Sequence, residues 1–147
     1  MNQELLERVR KEITSDQDMV LYGIPASDED ITHAENILNI KFNDQYIQFI
    51  KLFGGAFGGI SIHAFNNGSL IGNATVIDLT KKFRETYSDL DKDILNSFYA
   101  VSDDGSGNPI LMNTDGEIFI FLHDSYEIEY LYSSLEELLM KSFPSKN

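Results

Sequence analysis

The chain opens on a helical rhythm. Leu5, Leu6, Val9 and Ile13 recur at helical spacing among charged residues, which predicts a helix over residues 3–13. Pro25 ends whatever precedes it. Ser27 is suited to cap a second helix, with Asp28, Glu29 and Asp30 at its positive end and Ile31, Ala34 and Leu38 on its apolar face. Asn43 caps a third helix, in which Tyr46, Phe49, Ile50 and Phe53 share one side, and Gly54 and Gly55 stop it.

After the glycines the period shortens. GGISIHAF reads as a strand, with Ile60, Ile62 and Ala64 on one face and Ser61, His63 and Phe65 on the other. Asn66, Asn67 and Gly68 make a turn, and residues 69–73 read as a further short strand. VIDLTKKFRETY returns to helical spacing through Val76, Leu79, Phe83 and Tyr87. SFYAVSDD, NPILMN and EIFIFLHD then read as three strands joined by DGSG and TDG, both hairpin-turn sequences. Tyr130 and Leu131 extend a last strand. Ser134 caps a closing helix whose apolar positions are Leu135, Leu138, Leu139 and Phe143. The expected fold is α+β: a single domain over residues 1–147, with helices packed on a mostly antiparallel sheet.

Composition narrows the chemistry. There are no cysteines, so disulfides, thiol catalysis and thiolate zinc sites are excluded. The start, MNQELLERVRKEI, is amphipathic rather than a signal-type apolar run, and no stretch reaches the ~20 apolar residues of a membrane span. Together these features read as a cytoplasmic protein. The net charge is −13 and it is uneven. Residues 1–87 carry twelve acids and eight Lys or Arg, a balance of −4; residues 88–147 carry twelve acids and only Lys92, Lys141 and Lys146, a balance of −9. Such a chain repels phosphate backbones, which argues against direct nucleic-acid binding, and attracts a basic partner. The plainer alternative is solubility alone.

Candidate motifs fail one by one as ligand sites. Counted as a calcium loop from Asp103, positions that need oxygen ligands fall on Gly105 and Gly107, and the last falls on Thr114. A phosphate loop would lead into a helix with a nearby Lys, whereas Pro109, Ile110 and Leu111 begin a strand. The Gly54, Gly55, Gly58, Gly59 cluster follows a helix and is not a dinucleotide fingerprint. His33, His63 and His123 share no metal-type spacing. His123-Asp124 resembles a base with its orienter, but no nucleophile is marked. The residues therefore indicate no catalytic, cofactor or metal site. A small metal-dependent hydrolase built on His123, Asp124 and loop carboxylates stays open as an alternative, as does a ligand-binding regulatory domain with a pocket between helices and sheet.

What remains is a surface pattern. Asp103, Asp104, Asp115, Glu117, Asp124, Glu127 and Glu129 flank predicted strands and turns, interleaved with Tyr126, Tyr130 and Tyr132. If the hairpins are adjacent, these acids gather on one edge or face. Acids steer a basic partner and tyrosines supply contact area at low entropy cost, so the group is a candidate protein-binding surface. A solvated sheet edge, charged against aggregation, is the competing account.

The series Pro25, Ser27, Ile31, Glu35, Leu38, Phe42, Tyr46, Phe49, Gly54 and Gly55, followed by Asp104 to Asn108, Ile110 to Asn113, Gly116 and His123-Asp124, resembles the SMI1/KNR4 family, the SUKH superfamily. Asn43 departs from it, standing where the family usually has Pro; both residues suit a helix start. The resemblance implies an α+β fold without catalytic residues. It also implies an immunity-protein role: binding and neutralising a cognate bacterial toxin, often a nuclease and therefore basic. Eukaryotic relatives act instead in cell-wall regulation.

Overall fold

The computed structural model describes residues 1–15 and 20–145. Its elements run α1 (Gln3–Ile13), α2 (Asp28–Leu38), α3 (Asp44–Phe53), β1 (Ala56–Phe57), β2 (Ser61–Ile62), α4 (Val76–Thr86), α5 (Lys92–Asn96), β3 (Tyr99–Asp103), β4 (Pro109–Met112), β5 (Ile118–Leu122), β6 (Glu127–Tyr132) and α6 (Leu135–Ser142). The fold is α+β: β3-β4-β5-β6 form an antiparallel meander in sequence order, and β1-β2 a separate small hairpin.

The helix starts follow local chemistry. Asn2, Ser27, Asn43, Thr75, Asp91 and Ser134 each accept a hydrogen bond from a first-turn N–H through their side chains. Thr75 and Asp78 complete a reciprocal capping box. Asn43 does more than a proline could. Its N–H donates to Tyr99 Oη at 2.9 Å, and its amide reaches the Thr114 carbonyl at 3.4 Å, tying α3 to the β4–β5 turn.

Alternation along the strands feeds two cores. Tyr99, Val101, Ile110, Met112 and Ile118 turn toward α1, α2, α3 and α6, where Phe42, Tyr46 and Tyr99 pack with ring centroids 4.7–5.5 Å apart. Ala100, Leu111 and Phe121 turn the other way, against Phe83, Tyr87 and Leu95. β3 is thus buried on both faces.

Three expectations need correction. Residues 69–73 form a turn rather than a strand. The strand expected over GGISIHAF is only Ser61–Ile62, and it pairs with Ala56–Phe57, a strand the glycines concealed. The expected alternation ends there too: Ile62, His63 and Ala64 are all buried, because His63 is tied from several sides. Its N–H donates to Val101 O at 2.8 Å, its carbonyl accepts from Tyr46 Oη at 2.6 Å, and its Nδ1 lies 2.6 Å from Ala74 O. Helix α5 had no expected counterpart, since five residues are too few for a periodic signal.

The glycines after α3 serve a junction of main chains. Gly23 N donates to Phe53 O, Ile24 N and Gly55 N both donate to Asn66 O, and Gly68 N donates to Gly55 O, at 2.8–3.2 Å. A Cβ at Gly23, Gly54 or Gly68 would collide with the backbone of a neighbouring segment, and one at Gly55 with the Asn67 side chain. That side chain accepts from Ala64 N and donates to the Gly72 and Ala74 carbonyls, so it cannot swing aside without loss. Gly105 is the opposite case, with φ +81° and open space around it. We expect Gly55→Ala to lower the unfolding free energy by about 1–3 kcal/mol through overpacking. Gly105→Ala should cost about 1–2 kcal/mol through the left-handed backbone alone. Urea denaturation of both variants checks this. A Gly55→Ala midpoint at the wild-type value would contradict the junction.

Candidate functional site

In an antiparallel meander the β3–β4 and β5–β6 turns lie at one end of the sheet and the β4–β5 turn at the other. Asp103, Asp104, Asp124, Tyr126 and Glu127 therefore come together. Asp115 and Glu117 do not. They lie at the far end, where Thr114 Oγ1 donates to Lys41 O at 3.3 Å and Asn113 Nδ2 donates to Glu117 at 3.0 Å. Glu129 and Tyr130 run along β6, on the outer edge of the sheet. The acids flanking the hairpins thus form an end cluster continued by an edge, with two residues outside it, because successive turns of a meander alternate between its two ends.

The β3–β4 turn is closed on itself. Asp104 Oδ1 accepts from Ser106 N at 2.8 Å and Asn108 N at 3.1 Å, and Asp104 Oδ2 accepts from Asn108 Nδ2 at 2.8 Å. Asp103 Oδ1 takes Gly105 N at 2.7 Å. Asn108 Oδ1 then accepts from His123 N at 3.0 Å and lies 2.6 Å from His123 Nδ1, which joins the two turns. The DGSGN stretch spends its polar groups on its own geometry and on its neighbour. The hydrogen bond from the Asn108 side chain, with those from the turn amides, holds the Asp104 carboxyl below its ordinary range.

His123 is occupied on its other side as well. Its Nε2 lies 3.1 Å from Asp124 Oδ1, an ion pair when the ring is protonated. His63 is the buried tie described above, and His33 is exposed on α2. Among the described residues no group of three or more His, Asp or Glu side chains is arranged to hold a metal ion.

Tyr126 adopts φ +62°, unusual for a residue with a ring. Its side chain explains how this is sustained. The ring packs on Tyr87 at 5.3 Å and Phe121 at 5.5 Å, and those two lie 4.4 Å apart. Burial, then the nearby Tyr126 and Asp124, pushes the Tyr87 hydroxyl pKa up. A second aromatic row went unnoticed in the sequence: Phe98, Phe119 and Tyr130, edge to face at 5.3 and 5.8 Å. Its members are far apart in sequence, and only strand pairing reveals them.

Beside the end cluster, between α4 and β3, lies a cleft of about 190 Å³ with Leu79, Phe83 and Ala100 among its lining and Lys82 and Asp103 at its polar parts. That is below the ~300 Å³ at which small-molecule pockets begin, and suits one inserted side chain. On the other side of Asp103 an open recess of about 340 Å³ is lined by Ser61, His63 and Ile71.

A model of the SMI1 / KNR4 family (SUKH-1) matches residues 25–141. The chain belongs to this family. No curated protein matches the chain. The SMI1/KNR4 match takes in α2 through most of α6 and leaves α1 outside it. Within it fall Gly54, Gly55 and Gly68 of the glycine junction, the closed DGSGN turn and the whole meander, while Gly23 lies just outside it. No helix among the described residues is long and apolar enough to cross a membrane.

The lowered pKa of Asp104 has a consequence for stability. A carboxyl whose folded pKa is depressed contributes stability that is present above its unfolded pKa, about 4, and is lost as pH falls through the folded value. Thermal melts from about pH 7 down to about pH 2 should show Asp104→Asn losing less stability with acid than wild type. Identical acid sensitivity in the two proteins would contradict the turn's dependence on an ionised Asp104.

Proposed function

We propose that the protein is a cytoplasmic, non-enzymatic immunity protein that neutralises a cognate bacterial toxin by covering it. The supporting observation is that Asp103, Asp104, Asp124, Tyr126 and Glu127 all lie on or beside the two turns at one end of the sheet, in a chain of the SMI1/KNR4 family. A nuclease toxin must bind phosphates and so presents a basic surface, which matches this end in sign. The turns are prepaid in hydrogen bonds, so little ordering is left to oppose association. Tyr126 is already fixed by its packing and is 42% exposed, the condition for an aromatic anchor. Occlusion requires no catalytic group, and His123, the best placed candidate base, is engaged at both ring nitrogens.

Mixing the purified chain with the toxin encoded beside its gene tests the reading: a stoichiometric complex and loss of toxin activity are expected, and neither would appear if the reading is wrong. The association rate should fall about tenfold or more between low and high salt. Asp124→Lys with Glu127→Lys should slow association by about tenfold while leaving the melting temperature nearly unchanged, since both residues are exposed. Stopped-flow fluorescence measures both.

A further inference from the structure

The two edges of the meander are finished differently. On β3 the outer main chain is engaged: Val101 O accepts from His63 N at 2.8 Å, and Ala100 N donates to the buried Thr80 Oγ1 at 2.9 Å. On β6 it is open. This strand has six residues, the longest in the sheet, and its only strand partner among the described residues is β5. All six are exposed or half-buried. The register shift between Ile118 and Phe119 places the irregularity at Leu131, so Glu127 to Tyr130 stays regular. A regular open edge presents a row of unpaired N–H and C=O groups, ready for another strand.

The side chains say which strand would fit. Glu127 and Glu129 lie opposite Leu122 and Ile120 on one face, and Ile128 and Tyr130 lie opposite Phe121 and Phe119 on the other. A second copy of the chain pairing along this edge would bring Glu against Glu, which is unfavourable. A strand with Lys or Arg on one face and apolar residues on the other would pair its cations with Glu127 and Glu129. Its apolar groups would extend the Phe98, Phe119, Tyr130 row. We infer that β6 is a docking edge that accepts one extended segment of a basic protein partner, in which cationic and apolar residues alternate. This rests on the reading of the protein as a binder of a basic partner and adds the mode of attachment. The end cluster steers the partner and β6 pairs with it.

The test uses the full chain and three short synthetic peptides: one alternating lysine and valine, the same peptide with every backbone amide N-methylated, and one alternating glutamate and valine. Amide hydrogen exchange is followed by mass spectrometry. The lysine–valine peptide should slow exchange in β6 by about tenfold or more, and the other two should leave it unchanged. Glu129→Lys should weaken lysine–valine binding by about tenfold. Equal binding of the methylated peptide would overturn the inference, since contact would then be through side chains alone. So would protection confined to residues 104–108, dimerisation of the chain along β6, or no binding. The same measurement on the complex with the neighbouring toxin separates the two proposals. A complex with β6 unprotected overturns the docking edge and leaves occlusion intact. Peptide protection of β6 without a toxin complex overturns occlusion and leaves the edge.

Discussion

The structure depends on the satisfaction of main-chain polar groups where three segments meet beside the end of α3. Gly23, Gly55 and Gly68 bring backbones so close that hydrogen bonds pass directly between Phe53, Asn66 and Gly55 and their neighbours. Buried N–H and C=O groups must be paired, and here no regular ladder is available to pair them. Asn67 completes the job from the side, accepting one N–H and donating to two carbonyls. From this knot the chain passes through His63 to Val101, so the helical half is bonded to the sheet's inner edge. That edge is occupied by His63 and Thr80, while among the described residues β6 pairs only with β5.

The second organising feature is charge kept away from the core. The acids of the meander sit in its turns and on its outer edge, while β3 and β4 bury almost every residue; on the helices Glu35 and Arg84 are the partly buried exceptions, Glu35 accepting from Phe42 N and Arg84 donating to Leu38 O. Self-repulsion at the crowded end is moderated by the turn's own donors, which hold Asp104 ionised, and by His123, which bridges Asn108 to Asp124. A surface arranged in this way is rigid before it meets a partner. Rigidity and a single sign of charge favour fast association with an oppositely charged protein.

Much of the fold was legible because its causes are local. Caps at Ser27, Asn43 and Ser134, helical spacing from Leu5 to Ile13 and the DGSG and TDG turns between apolar runs each depend on residues a few positions apart. The errors fell where distant segments decide. His63 lies in a strand-like stretch but is buried by its ties to Tyr46, Ala74 and Val101. Asp115 and Glu117 looked like companions of Asp103 and Asp124 because acidity carries no sign of which end of a sheet a turn occupies. The Phe98, Phe119, Tyr130 row had no sequence signature at all.

By itself the sequence determined the class of fold, the absence of thiol chemistry, the acidic second half and the family pattern, since composition and short-range periodicity are properties of the chain alone. Only the tertiary structure decided which acids share an end, which histidine is a tie and which strand edge is left open. Those depend on strand pairing and on the closure of main-chain hydrogen bonds between segments far apart in the chain, and no local pattern encodes them.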